Sequence, residues 1–212
     1  MHASTSLLIN DMKVASEIAA AGDEARTIGA AGSRLFPQAR VEALYEMAFL
    51  RVFIAWEAFL EDTFAKCICG RLALPTGASL VHPTYSTIED AERAMLGSSA
   101  FFPWADPSRV CDLAKRFVVS SPKSLGGGPH QQTLSSNMSR MKALKGIRNY
   151  VAHKSMKAKV DFEQSARVLS GTSHLGRSPG FFLRGKTSSS VIETRLNAYI
   201  EELGGLAKQI AE

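Results

Sequence analysis

The stretch Ile147–Ser155, IRNYVAHKS, holds the chain's clearest set of side chains spaced for joint chemistry. It reads as part of an amphipathic helix. Projected at 100° per residue, Leu134, Met138, Met141, Leu144, Ile147, Val151, Ala152 and Met156 form one broad apolar face, with Arg148 near its middle. A guanidinium stays charged inside a protein, so an arginine there must either meet a buried carboxylate or open into a wet cleft. Asn149 and His153 lie four residues apart and share the rim between the apolar face and the lysine-bearing face. An imidazole can give or take a proton near neutral pH, an amide can orient a ligand, and a guanidinium can hold a phosphate. Together the three suit phosphodiester chemistry.

No other residues assemble a comparable set. Cys67, Cys69 and Cys111 are odd in number, and C-x-C is not the C-x-x-C spacing of zinc or redox motifs, so they read as small buried hydrophobes in a reducing compartment. His2, His82, His130 and His174 stand alone in terminal or loop contexts and read as surface histidines. Gly126–Gly128 lacks both a following Walker lysine and a leading strand, which makes it a connector rather than a phosphate cradle. No metal-ligand cluster or cofactor motif is visible, so neither a metal nor a cofactor is expected.

Charge distribution points to a polyanion. The formal net charge is only +5, but residues 113–160 contain no Asp or Glu. They carry Lys115, Arg116, Lys123, Arg140, Lys142, Lys145, Arg148, Lys154, Lys157 and Lys159, ten of the chain's 25 basic residues. A solvated helix normally intersperses acids for i,i+4 pairing, and none is close in sequence. Nucleic acid is the partner this favours, with Lys142, Lys145, Lys154 and Lys157 as phosphate contacts. At 212 residues, 45% hydrophobic, the chain suits a single domain with a real core. No window approaches the roughly 18 apolar residues of a membrane span, and no secretory signal pattern opens the chain, so a soluble, cytoplasmic protein is expected.

The elements that must position the set read as helices throughout. A first pattern runs from Ser4 to Ala30, closed by Gly29 and Gly32. The strongest runs from Val41 to Ile68, where Phe49, Val52, Phe53, Trp56, Leu60, Phe64 and Cys67 make a continuous stripe. Glu57 lies at the edge of that stripe, available inward as the supporting carboxylate for Arg148, whereas Arg51, Glu61 and Asp62 point away. Ser86 with Glu89 offers a capping box, and Asp106 with Pro107 opens a helix through Phe117. Residues 72–83 and 120–133 read as loops. A basic helix covers Ser135–Lys159, residues 170–190 form a flexible Gly/Ser-rich insertion, and Ser190 with Glu193 caps a last helix from Val191 to Ala211. With no sustained strand alternation, the class is all-α, an antiparallel helical bundle with long loop insertions.

These residues resemble a known family. RNYVAH, Arg148–His153, looks like the R-x4-6-H signature of the HEPN superfamily, including the polar residue directly after the arginine. FLRVFIAWEAFLED, Phe49–Asp62, is similar to the long aromatic helix that many bacterial members place before it. The nearest subgroup is the standalone RiboL-PSP-HEPN-like proteins, and the likeness covers about Val41–Asp161. The resemblance implies a single HEPN-like helical domain across 1–212. It also implies a metal-independent endoribonuclease, working as a homodimer with a shared cleft. Arg148 would hold the scissile phosphate, Asn149 would orient it, and His153 would move a proton at the ribose 2′-OH, leaving a 2′,3′-cyclic phosphate. Members often serve in toxin–antitoxin pairs or phage defence, which implies an antitoxin or inhibitor protein as a further partner. Two alternatives stay open. In one the chain is a non-catalytic nucleic-acid-binding or dimerisation module; in the other Arg148 and Glu57 form a buried pair that only ties two helices together.

Overall fold

The computed structural model describes residues 3–74, 78–81, 84–120, 128–188 and 193–211. The chain is all-α, with ten helices and one two-stranded ribbon among the described residues. In order these are α1 (Ala3–Thr27), α2 (Gly29–Leu35), α3 (Gln38–Ile68), β1 (Ala78–Leu80), α4 (Ile88–Leu96), α5 (Pro107–Phe117), β2 (Val118–Ser120), α6 (Gly128–Ser136), α7 (Met138–His153), α8 (Met156–Ser170), α9 (Pro179–Arg184) and α10 (Arg195–Ala211). Two compact units emerge. The first comprises Met1–Ser6, Trp56–Lys142 and Gly205–Glu212; the second comprises Leu7–Ala55 and Ala143–Gly204.

In the first unit the core is built on the C-terminal part of α3, where Trp56, Leu60, Phe64 and Cys67 are buried at three- and four-residue spacing. The Phe64 ring meets Trp104, Phe117 and His130, with centroids 6.1, 6.0 and 5.1 Å away. Helix α5 starts where the sequence places it: Asp106 Oδ1 accepts from the amides of Ser108 and Arg109, and Pro107 fills the first turn. Helix α4 starts one residue later than expected. Its cap is Thr87, whose hydroxyl oxygen accepts from the Asp90 amide, rather than Ser86 with Glu89.

Residues 120–133 are not all loop. Helix α6 begins at Gly128, at φ +67°, and packs on α5, while Gly126 and Gly127 lie outside the described residues. Val118 leaves α5 in extended conformation, and β2 pairs antiparallel with β1, Leu80 opposite Val118, where no strand was expected. Because α6 forms, His130 is a core residue, only 1% exposed, and not a surface histidine. Its Nε2 lies 2.9 Å from the Thr63 hydroxyl, which itself donates to the Phe59 carbonyl at 2.7 Å. The ring nitrogen therefore donates to Thr63. Burial pushes the His130 pKa down to about 3, so the ring is neutral in the folded chain. His2 and His82 lie outside the described residues.

In the second unit, Leu8, Met12, Ala15 and Ala19 of α1 are buried, together with Val41, Tyr45, Phe49, Val52 and Phe53 of α3. The first helix stops at Thr27 because Gly29 takes φ +65°, and Gly32 then lies inside α2 instead of closing α1. The expected helix over Ser135–Lys159 is broken. Lys154 adopts φ +50°, Ser155 caps α8 by accepting from the Ala158 amide, and the two helices lie so close that a side chain on Gly146 would strike Ser165.

The 170–190 segment differs most from its expected form. Its Gly/Ser-rich composition hides Pro179–Arg184, a helix capped by Ser178, whose Phe182 and Leu183 are fully buried. Phe182 sits in an aromatic chain, meeting Phe162 edge-on at 6.1 Å and Tyr199 at 6.5 Å, while Phe162 stacks on Tyr150 at 5.4 Å. At the far end of α9, Arg184 pairs with Asp23 at 2.8 Å, and Asp23 also accepts from the Tyr45 hydroxyl at 2.7 Å. Burial and the Asp23 carboxylate hold the Tyr45 phenol well above its usual range. Ser190, the expected cap of the last helix, lies outside the described residues; Thr194 accepts from the Asn197 amide at the start of α10.

Two outcomes follow from this packing. His130 has a folded pKa of about 3, below the ordinary 6.5, so the unfolded chain takes up the proton first. Stability should be flat above neutral pH and fall as pH drops below about 6.5, by at most about 1.4 kcal/mol per pH unit. Urea midpoints across that range measure the slope, and His130→Gln should flatten it. A Cβ on Gly180 would collide with the Glu42 backbone carbonyl. Gly180→Ala should therefore cost about 1–3 kcal/mol and expose residues 171–188 to limited proteolysis.

Candidate functional site

Helix α7 positions the residues singled out above. Ala143, Leu144 and Ile147 are buried, which fixes the helix's rotation about its axis. Past Ile147 the helix emerges. Val151 is half-buried, Ala152 is exposed, and Met156, beyond the break, is 76% exposed. The apolar face thus ends earlier than the wheel suggests, because α8 turns away at Lys154 instead of continuing the same rotation. Arg148 is half-buried at the margin of that face, and its Nη1 lies 3.5 Å from Asn149 Oδ1. Asn149 is half-buried, and His153 is exposed as the last residue of the helix. The guanidinium, amide and imidazole thus occupy the final turn and a half of α7.

The lysines differ from one another. Lys142 is exposed on α7, Lys145 is half-buried one turn before Asn149, and Lys157 is exposed in the first turn of α8. Lys154 is bound. Its ammonium pairs with Glu46 of α3 and lies 5.2 Å from the centroid of the Tyr150 ring. A tract without acids in sequence therefore acquires one in space. Glu57 is half-buried on α3.

Glu46 and Glu42 were not among the residues the sequence singled out. They sit i,i+4 on α3, just ahead of the aromatic stripe, a spacing that marks a shared helix face but names no partner. In the structure Glu42 accepts from Ser178 Oγ, and Glu46 Oε1 accepts from the Gly180 amide at 3.2 Å.

Other chemistry-bearing groups are occupied. His174 is half-buried; its Nε2 lies 3.1 Å from both Ser170 and Thr172 hydroxyls, and its ring meets Phe182 edge-on at 4.9 Å. Burial, then Arg195 and Arg177, lower its pKa. Cys67 and Cys111 are buried as expected, while Cys69 is half-buried with its thiol 3.3 Å from the Thr87 carbonyl. Burial pushes the Cys67 thiol up to about 11 and raises the other two, so none is activated as a thiolate. Among the described residues no group of three or more His, Cys, Asp or Glu is placed to hold a metal ion, and no helix is long and apolar enough to cross a membrane. No family model matches the chain, and neither a curated protein nor a solved structure matches it.

Proposed function

We propose that the chain is a metal-independent endoribonuclease whose working groups are Arg148, Asn149 and His153. The observation that carries this reading is that the three side chains occupy the emerging end of one helix, with the imidazole exposed. In this reading the RNA phosphate lies against Arg148, oriented by Asn149, while His153 takes the proton of the adjacent 2′-OH. The 2′ oxygen then attacks phosphorus, the P–O5′ bond breaks, and the leaving 5′ oxygen takes a proton from solvent while the imidazolium later returns its own, so that a 2′,3′-cyclic phosphate and a free 5′-hydroxyl result. The nucleophile is built into the substrate beside the phosphorus, so its positioning replaces much of what a metal-bound water would supply. DNA, lacking the hydroxyl, is not cleaved. Lys142 and Lys157, both exposed, supply non-specific phosphate attraction. One arginine and one histidine are few groups for the task, and a homodimer that brings two copies to one groove would double them.

Purified protein should cleave single-stranded RNA in EDTA and leave cyclic phosphate ends. His153→Ala should lower that rate by about 10²–10⁴-fold without changing the melting temperature or RNA retention. Undiminished cleavage by the variant would overturn the assignment. Salt-sensitive RNA retention without cleavage, weakened by Lys142→Ala or Lys157→Ala, would identify a binding module instead.

A further inference from the structure

We infer that Glu46 is a positioning residue for His153, acting through Lys154, and that the α9 segment belongs to the same device. The inference rests on the endoribonuclease reading for its kinetic part only. Lys154 follows His153 directly and holds a left-handed backbone, φ +50°, that only glycine, lacking a Cβ, adopts freely. Its amide still donates to the Tyr150 carbonyl at 3.1 Å, closing the last turn of α7, while its side chain folds back over the Tyr150 ring toward Glu46. The Glu46 side chain is only 16% exposed, so its charge is better shielded from water than that of an ordinary surface ion pair. Its two oxygens face different elements. Oε2 takes the Lys154 ammonium and Oε1 takes the Gly180 amide, so one carboxylate joins the end of α7 to the start of α9.

A second tie runs parallel to the first. Glu42, one turn earlier on α3, accepts from Ser178 Oγ, the cap of α9, and Gly180 lets the α9 backbone approach the Glu42 carbonyl closely. The aromatic chain Tyr150–Phe162–Phe182 connects the same two ends from within. The α9 segment is thereby a strap whose docking sets where α7 stops. The position of the imidazole follows from the backbone geometry of that stop.

The test uses the full chain with isotope-labelled histidine. Glu46→Gln keeps an acceptor for the Gly180 amide but loses the charge pair; Lys154→Met removes the pair from the other side and leaves the α9 contact intact. Both should shift the His153 imidazole resonances and lower kcat by about 10- to 100-fold with KM little changed, and Lys154→Arg should restore both. A folded Lys154→Met variant with unchanged His153 resonances and unchanged kcat overturns the inference. So does a raised KM at unchanged kcat, which would make Lys154 a phosphate contact. Should Glu46→Gln fail to fold, Lys154→Met and Lys154→Arg decide the matter. If the native chain does not cleave RNA, the endoribonuclease reading falls, and the resonance comparison still decides whether Glu46 positions His153.

Discussion

Lys154 sits in a backbone region that costs a residue with a side chain about 1–2 kcal/mol, and the surrounding structure must hold it there. Glu46 and the face of Tyr150 do so, taking up its ammonium while its amide closes the last turn of α7. Much else in the second unit depends on that constraint. Because the chain turns at this point, α8 folds back closely enough on α7 that Gly146 must lack a side chain, and Phe162 can reach Tyr150. The turn also leaves His153 at a helix end rather than along a continuous basic rod. An unbroken helix would carry the lysines of residues 154–159 on around the same axis and place Met156 on the buried face.

The two units solve the same problem with different chemistry. In the first, a polar group is taken into the core and made harmless: His130 is kept neutral by burial, donates to Thr63, and packs against the edge of an aromatic ring. In the second, charged groups stay near the surface and tie elements distant in sequence, as Asp23 does with Arg184 and Tyr45, and Glu46 with Lys154 and Gly180. Such carboxylates gain less from charge alone than from the backbone and side-chain donors they gather. They act as shared acceptors for segments distant from one another in sequence.

Much of the helical framework was legible. The Phe49–Cys67 stripe is buried throughout, the Asp106–Pro107 start of α5 is where its chemistry puts it, and Cys67 and Cys111 are core residues. These succeed because the signals are local: apolar periodicity and capping report on one turn at a time. Composition failed where a few residues outweigh their neighbours. Phe182 and Leu183 anchor a helix inside a Gly/Ser-rich stretch, and His130 is buried by a helix that its flanking glycines and proline disguise. The break after His153 carries no Gly or Pro to announce it. Ser155 can cap a helix, but only its partner Ala158 and the pairing of Lys154 make that cap the one used.

By itself the sequence determined that the chain is helical, which faces of its longest helix are buried, and that Arg148, Asn149 and His153 share one stretch of helix, because each depends on residues within a few turns of one another. Tertiary structure alone decided that the helix ends at His153, that Lys154 faces Glu46 across 108 positions of sequence, and that the 171–188 segment is docked. The physical reason is that a carboxylate's choice among distant donors depends on which backbones are already close. No spacing along the chain records that proximity.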